Sequence, residues 1–343
     1  MSARGRRPGL LAGYVVALLG AVVVVVGADA GVFTLVLLGS AMLGSGTATN
    51  LQSRYAATDL AVREHRARAL ATVVWATTVG VVVGPNLTGP GATVGGWFGV
   101  PALAGPLLFT TLAFGAAGLV IAMGLRPDPL LLARQVAGAD HDPSAPTPSF
   151  ADSMAAVVRS RPATLALVAI ALAHTVMTSV MVMTPVHMRH EGATLEVVGF
   201  VISAHVAGMY ALSPVAGWLA DRFGRVAVIV LGQVLLVAAV AVSGGVPGNA
   251  ALGTGLFLLG LGWSCALVAG STLLSESVDD RVRPGVQGAT DFVMGACGAA
   301  GGALAGVVVA GPGYGVLNGM AGLLVVPVLA LALGVRRTSI VRS

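Results

Sequence analysis

The sequence predicts an all-α integral membrane protein with ten transmembrane helices, arranged as a bundle of four followed by a bundle of six. Three observations lead to this prediction. Hydrophobic residues make up 56% of the 343 residues and charged residues only 10%, whereas soluble domains carry about 25% charged residues. Ten apolar runs approach the length of ~20 residues that a helix needs to cross the hydrocarbon layer. The first four runs also resemble the last four.

The ten runs follow one another with few polar interruptions. Their lengths favour helices over a β-barrel, because barrel strands would appear as short alternating segments. The predicted spans are 9–27, 31–50, 69–88, 102–124, 163–184, 197–219, 226–243, 250–273, 287–310 and 315–335.

The arginines predict the topology. All 19 basic residues are Arg, and every one except Arg189 falls on the side of the two termini. By the positive-inside rule that side is the cytoplasm, and we expect a multi-pass protein of the plasma membrane. The net charge of +5 is dispersed between the spans and does not indicate nucleic-acid binding. A secretory signal cleaved near Ala28–Ala30 is the alternative for the first run, although a signal core has only about 7–15 apolar residues.

A polar segment separates the fourth and fifth runs. The stretch ADHDPSAPTPS is typical of a linker. We therefore expect an incomplete N-terminal bundle at 1–125, a cytoplasmic linker at 126–162 and a C-terminal six-helix bundle at 163–343.

An internal repeat explains the unequal bundles. GSAMLGSG at 39–46 matches GLFLLGLG at 255–262, and GRRPGL at 5–10 matches GRVAVI at 224–229. Runs one to four thus correspond to runs seven to ten, and runs five and six have no partner. The simplest interpretation is a duplicated six-plus-six ancestor whose first two helices are absent from this chain.

The segment GWLADRFGR at 217–225 carries the most specific motif in the sequence. Gly217 permits close helix approach, Asp221 can accept hydrogen bonds from amides at a helix N-terminus, and Gly224 allows a tight turn. Arg222 and Arg225 complete the motif. The spacing resembles the loop motif Gly-x-x-x-Asp-Arg-x-Gly-Arg of the major facilitator superfamily, a family of secondary transporters with twelve helices in two halves.

This resemblance implies that the chain corresponds to the family's third to twelfth helices. In the family the loop acts as a gate between the halves, which implies that Asp221 pairs with the start of the third span, near Arg66 and Arg68. An ordinary basic loop that only fixes topology is the alternative. The first copy of the motif has Ser2 and Ala3 where the repeat would place Asp and Arg.

The third span contains GVVVGPNLTG, which is similar to the family's antiporter motif. Gly80, Gly84, Pro85 and Gly89 match that motif, whereas Thr88 replaces a glycine. A proline kink combined with tight packing of small residues could shape a rocking interface. The resemblance implies export, and a plain Gly/Pro kink is the alternative.

Ionisable side chains inside apolar spans are costly and indicate a transport pathway or a paired site. His174 lies in the fifth span, His205 in the sixth and Asp291 in the ninth. The histidines are the preferred proton or substrate residues, because imidazole titrates near physiological pH. A packed histidine is the alternative for each, and Asp291 could simply complement a helix N-terminus. Ser40 replaces the arginine that precedes Gly-x-Gly in the family's fourth helix, which argues against proton coupling at that position.

Other residues near these groups complete the candidate pathway. Met177 and Met181 lie four residues apart, after His174, and such a deformable wall suits a varied lipophilic ligand. Core packing is the alternative for this pair. Tyr210 and Asn50 are further candidates. We expect no metal and no cofactor, because neither a His-x-x-x-His motif nor a Cys pair supports a metal site.

We therefore expect a secondary transporter that exports a small organic solute by proton-coupled antiport, with alternating access around a midplane site. Its expected partners are the solute, the lipid bilayer and protons, and we expect a monomer rather than an enzyme or a nucleic-acid-binding protein. The alternative is a truncated or wrongly started membrane protein that does not transport and serves as a scaffold.

Overall fold

The computed structural model describes residues 5–102, 104–136 and 148–340. Three features of the sequence analysis lie outside this description. They are Ser2 and Ala3, most of the polar linker segment, and the side chain of Pro85. Within the described residues the secondary structure is helical and no β-strand occurs. The all-α fold class predicted from the run lengths is confirmed.

Fifteen α-helices lie within the described residues. The first seven are α1 (Arg6–Asp29), α2 (Phe33–Ala56), α3 (Arg66–Asn86), α4 (Thr88–Trp97), α5 (Pro106–Gly124), α6 (Pro129–Val136) and α7 (Phe150–Arg159). The others are α8 (Arg161–His190), α9 (Leu195–Val206), α10 (Ser213–Phe223), α11 (Arg225–Gly245), α12 (Asn249–Glu276), α13 (Arg283–Ala310), α14 (Tyr314–Leu323) and α15 (Val325–Ile340). A 3₁₀ turn at Arg63–His65 precedes α3, and a π turn at Ala207–Ala211 joins α9 to α10.

Nine helical segments of the described chain are long and apolar enough to cross a membrane. They match nine of the ten predicted runs. The run predicted at 31–50 forms α2, a helix of 24 residues, but the Ser, Thr, Asn and Gln residues in its second half make it less apolar than the others. The tenth span therefore stays a prediction.

The chain forms two compact units, and unit 1 consists of Met1–Ala61 and Val79–Thr147. Its α1 and α2 pack closely, because a Cβ at Gly20 would lie only 2.8 Å from the Gly39 carbonyl oxygen. At the start of α1 the Arg6 guanidinium donates to both carboxylate oxygens of Asp59, at 2.8 and 3.0 Å. Both side chains of this ion pair are buried, with 0% and 2% exposed.

Unit 2 consists of Val62–Thr78 and Pro148–Ser343. Its most buried spans are α8 and α12. Val157 of α7 packs in a cluster with Ala163, Leu274 and Val286, so that α7 covers one end of α8, α12 and α13. The predicted linker thus contains a helix that belongs to unit 2, while the three-part division at 126 and 162 stays a prediction.

Matching contacts in the two units confirm the repeat. Each copy begins with a glycine at the N-cap in the left-handed region, Gly5 at φ +87° and Gly224 at φ +92°. Equivalent contacts then join the helices of each copy. The equivalent pairs are Gly20–Gly39 and Ala239–Gly255, and Gly13–Thr49 and Gly232–Cys265. The ion pairs Arg6–Asp59 and Arg225–Glu276 are similar, with the carboxylate of the second displaced by one residue from the register.

One contact of the second copy has no counterpart in the first. Gly260 of α12 packs against the backbone of His205 and Met209, whereas the equivalent Gly44 of α2 faces open space among the described residues. The difference follows from the repeat, because α9 belongs to the runs that have no partner in the first copy.

Candidate functional site

The loop motif, defined as Gly217, Asp221, Arg222, Gly224 and Arg225, lies between α10 and α11 and binds the N-terminus of α3. Asp221 accepts hydrogen bonds from the backbone amides of Ala67 and Arg68, at 3.1 and 3.0 Å. Its carboxylate is only 4% exposed. Helix N-termini carry unbonded amides and a partial positive charge, so Asp221 caps α3. The predicted pairing of Asp221 with the start of the third span is confirmed.

The glycines of the loop motif have the predicted structural roles. A Cβ at Gly217 would lie 2.7 Å from the Ala71 Cβ and 2.8 Å from the Ala67 carbonyl oxygen, so only glycine allows α10 to approach α3 this closely. Gly224 turns the chain into α11 with φ +92°. Arg222 is exposed.

Arg225 links the loop motif to the end of α12. Its guanidinium donates to the Arg63 carbonyl oxygen at 2.7 Å and to the Glu276 carboxylate at 3.0 Å, and it lies 3.3 Å from Asp221. Arg66 lies 3.8 Å from the same carboxylate of Glu276. Sequence reasoning missed Glu276, which lies one residue beyond the position that the repeat pairs with Asp59.

A second group of side chains lies in the membrane-spanning helices of unit 2, and we call His174, Tyr210 and Trp263 the three-ring cluster. The Trp263 indole N–H donates to His174 Nδ1 at 3.0 Å. The Tyr210 ring packs edge-on against the indole, with centroids 5.8 Å apart and planes at 76°. Trp263 is 3% exposed, whereas His174 and Tyr210 are half-buried.

Local backbone features position these rings. Tyr210 lies on the π turn between α9 and α10, and such a turn rotates the side chains that follow it relative to a regular helix. His174 faces α13 with its Nε2 edge, because a Cβ at Gly298 would lie 2.8 Å from Nε2. Glycine at 298 therefore provides the space for the imidazole.

The hydrogen bond fixes the tautomer of His174. An indole N–H can only donate, so Nδ1 must be the acceptor. The imidazole is then neutral and carries its proton on Nε2, toward Gly298. The cluster thus combines aromatic faces with a group that can take up a proton at Nδ1.

The methionines differ in their surroundings. Met177 is 5% exposed and packs in the interior of unit 2. Met181, one turn later, is half-buried. Met177 therefore has the packing role that was the alternative for this pair, and the ligand wall stays a prediction for Met181.

His205 lies away from solvent at the contact between α9 and α12. Its side chain is fully buried, and Nδ1 donates to the Leu256 carbonyl oxygen at 2.8 Å. The backbones are close at this point, since Gly260 abuts the His205 carbonyl. This geometry supports the packed-histidine alternative.

The remaining pathway candidates lie outside the three-ring cluster as far as the described contacts define it. Asp291 is half-buried on α13, two turns before Gly298 and beyond the first turn of that helix. Asn50 is exposed on α2 in unit 1. Their roles stay predictions. Among the described residues, no group of three or more His, Cys, Asp or Glu side chains could hold a metal ion.

The glycine-proline segment interrupts a helix. α3 ends at Asn86, one residue after Pro85, and α4 begins at Thr88. Within the described chain, a Cβ at Gly80, Gly84 or Gly89 would meet open space. The helix is interrupted close to Pro85, the predicted tight packing is not found at these three glycines, and the rocking interface stays a prediction.

Comparison with known proteins identifies the family. The family model described as Major Facilitator Superfamily matches residues 1–192 and 166–342. The chain belongs to the Major Facilitator Superfamily. The uncharacterized MFS-type transporters YdeG and YddS of Bacillus subtilis (strain 168) are each 38% identical to it, over 340 and 330 residues. These matches cover 96% and 95% of this chain, and 77% and 76% of the relatives.

Another relative has a described solute. The riboflavin transporter RfnT of Brucella anthropi is 29% identical over 336 residues, which is 96% of this chain and 78% of the relative.

Solved structures share the fold. The human organic anion transporter MFSD10 has a TM-score of 0.68 at 18% identity, covering 96% of this chain and 77% of that protein. The Escherichia coli fucose:proton symporter FucP has a TM-score of 0.65 at 16% identity, covering 95% of this chain and 83% of that protein.

Membership of the Major Facilitator Superfamily confirms the resemblance carried by the loop motif. The chain is a multi-pass membrane protein of a transporter family, and both family and fold indicate a transporter rather than an enzyme. Sequence reasoning missed Trp263, the residue at the centre of the three-ring cluster. The available signal was an indole in mid-span, because a buried Trp N–H needs an acceptor.

Proposed function

We propose that this member of the Major Facilitator Superfamily exports a small organic solute with a flat aromatic ring, in exchange for protons and by alternating access. The observation that carries the proposal is the three-ring cluster of His174, Tyr210 and Trp263. Small-molecule sites are typically apolar and aromatic with a few placed polar groups. The cluster has this composition and lies on helices long and apolar enough to span the membrane.

The riboflavin transporter of Brucella anthropi supports the choice of solute class. Riboflavin contains a planar heteroaromatic ring system, which can stack on an indole or a phenol face. Tyr210 offers such a face, since its ring is half-buried and packs against the buried Trp263 indole. We therefore take riboflavin as the first probe of a class of planar heteroaromatic solutes.

Proton coupling and export have separate support. His174 is a titratable group within a membrane span, where such groups are costly and are retained mainly for pathways or pairing. The similarity of Gly80, Gly84 and Gly89 to the family's antiporter motif favours exchange in the export direction. The loop motif would act as the gate on the side of the arginine-rich loops.

Transport can be measured with the purified chain in liposomes that carry an imposed pH gradient. We expect riboflavin flux that depends on the gradient and disappears with a protonophore. Trp263→Ala should abolish this flux, whereas Trp97→Ala, which changes an exposed indole at the end of α4, should leave it intact. Flux equal to that of empty liposomes for riboflavin and for a panel of lipophilic aromatic compounds would refute the proposal. Transport of another panel compound without riboflavin transport would refute only the choice of solute.

We also propose that the protein is a monomer in the plasma membrane with both termini in the cytoplasm. The arginine distribution supports the cytoplasmic position of the termini. In a variant that lacks Cys265 and Cys297, we expect an impermeant maleimide to label His190→Cys in intact cells. Arg222→Cys should react only after permeabilisation. The opposite labelling pattern would refute the topology.

A further inference from the structure

We propose that protonation of His174 releases the Trp263 indole from its hydrogen bond and thereby weakens binding of a ring-bearing solute to the three-ring cluster. This inference rests on the proposed function and adds a physical route by which protons and solute exchange.

The hydrogen bond cannot persist when the imidazole becomes a cation. Trp263 Nε1 lies 3.0 Å from His174 Nδ1, and the indole has no lone pair to offer in the plane of the ring. In the imidazolium both nitrogens carry protons. The contact then joins two donors, so one of the two rings must move.

The surroundings determine that the indole moves. His174 is held at its Nε2 edge by α13, because Gly298 leaves no room for even a methyl group there. Trp263 instead borders Tyr210, which is half-buried and lies on the irregular π turn. Rotation of the indole toward Tyr210 meets a side chain that has space to yield.

Few titratable groups face His174 from the helices that contact its ring. On α12, Cys265 follows the indole by two residues and is buried. On α13, Cys297 adjoins the contact glycine, and Asp291 lies two turns away, about 10 Å along the helix. Tyr210 is the titratable residue on the π turn. Of these, Asp291 is the carboxyl group, and at two turns of helix it lies too far from His174 to replace the indole as the partner of Nδ1.

The movement couples protons to solute. A ring-bearing solute would stack on the half-buried Tyr210 ring beside the hydrogen-bonded indole, because Trp263 itself is only 3% exposed. An indole that rotates toward Tyr210 occupies that position. By reciprocity a proton that weakens solute binding is itself bound more weakly in the presence of solute. If one proton on His174 competes with the solute, the apparent Kd of the solute rises by about tenfold for each pH unit below the pH at which half of the His174 side chains are protonated.

The release can be tested without any solute. In the full chain carrying Phe at the other three tryptophans, Trp75, Trp97 and Trp218, the emission of Trp263 is measured in nanodiscs from about pH 3 to about pH 8. This range covers both exposed and buried histidines. We expect a one-proton transition in intensity and wavelength. Emission that is constant over this range would overturn the inference.

Matched variants assign the transition to His174. His174→Asn places the amide oxygen where Nδ1 lies, so the indole keeps an acceptor that does not titrate. We expect the transition to vanish in this variant and to persist in His190→Asn, which changes an exposed histidine at the end of α8. A transition of the same size in His174→Asn would overturn the inference.

Riboflavin binding, followed by quenching of flavin fluorescence, separates this inference from the proposed function. We expect the apparent Kd to rise with falling pH in the parent chain and to stay level in His174→Asn. A Kd independent of pH in the parent chain would overturn the inference. A His174-dependent emission transition, together with a pH-dependent Kd but no riboflavin flux, would support the inference and refute the proposed transport of riboflavin.

Discussion

The buried ion pair of Arg6 and Asp59 allows a quantitative prediction about unit 1. Replacing Asp59 by Asn is expected to lower the free energy of unfolding by about 3–5 kcal/mol, the typical cost of leaving one charge of a buried pair without its partner. The guanidinium donates to both carboxylate oxygens, at 2.8 and 3.0 Å. Because the side chains are 0% and 2% exposed, water cannot replace the lost counter-ion.

Two variants provide the controls for this prediction. Asp280→Asn removes the partner of Arg283 from a pair whose carboxylate is 65% exposed, and exposed pairs contribute at most about 1 kcal/mol. The double variant Arg6→Met with Asp59→Leu removes both buried charges together. It is expected to recover most of the stability that Asp59→Asn loses, because the desolvation cost disappears with the charges.

Equilibrium unfolding in mixed micelles of a mild detergent and increasing dodecyl sulfate measures these differences through tryptophan emission. We expect Asp59→Asn to unfold at a clearly lower fraction of dodecyl sulfate than Asp280→Asn. Equal midpoints for these two variants would refute the assigned energy. A double variant less stable than Asp59→Asn would refute the explanation by desolvation.

Three further predictions concern caps and helix packing. Asp221→Asn is expected to lower the free energy of unfolding by about 1–2 kcal/mol, because one amide oxygen replaces a charged cap that binds two backbone amides. An unfolding midpoint equal to that of the parent chain in the micelle titration would contradict this. Gly260→Ala is expected to lower the free energy of unfolding by about 1–3 kcal/mol through overpacking. Gly44→Ala is instead expected to stabilise α2 by about 0.5–1 kcal/mol. Equal effects of the two variants in the micelle titration would contradict the difference in packing. Hydrogen bonds from the Ser149 side chain and backbone lower the pKa of Asp152, so the cap of α7 stabilises the fold above the ordinary carboxylate pKa and loses this effect as pH falls through the lowered pKa. Asp152→Asn should remove that acid-dependent part of the thermal unfolding midpoint, and an unchanged dependence would contradict the cap.

The repeat and the loop motif could be predicted from the sequence because both depend on spacing along single elements. Small residues recur where α1 meets α2 and where α11 meets α12, so a match of glycines in two segments also matches their contacts. Asp221 has the residue type and position of a helix cap. The choice of α3 as its target came from the family resemblance, since no local pattern names a helix that lies 153 residues away.

The centre of the candidate site could not be predicted in the same way. Trp263 lies 89 residues from His174, and α12 is apolar or small around its whole circumference. A helix that is apolar on all sides has no pattern that defines its rotation. The π turn adds a second uncertainty, because it shifts the direction of Tyr210 relative to the regular period.

His205 shows why a charge-capable residue in a span does not by itself identify a pathway. Both histidines have a ring nitrogen with a partner on α12, but the partners differ. His174 accepts from a side chain that can rotate, whereas His205 donates to the Leu256 carbonyl of a regular helix. The proposed release of the indole applies only to the first arrangement, and the sequence contains nothing that distinguishes the two histidines.

Two helices connect the three-ring cluster to the loop motif within unit 2. Tyr210 directly precedes α10, which ends beside Asp221, and Trp263 lies on α12, which ends at Glu276. The second separation is 13 residues of continuous helix, or about 20 Å. In the proposed mechanism, we expect a displacement of either ring by a solute or a proton to pass along a packed helix to a carboxylate that holds the start of α3 or the Arg225 guanidinium. Because Asp221 and Glu276 are only 4% and 9% exposed, we expect the end of each helix to keep its partners or to lose them together. This would be the discrete response that the proposed alternating access requires.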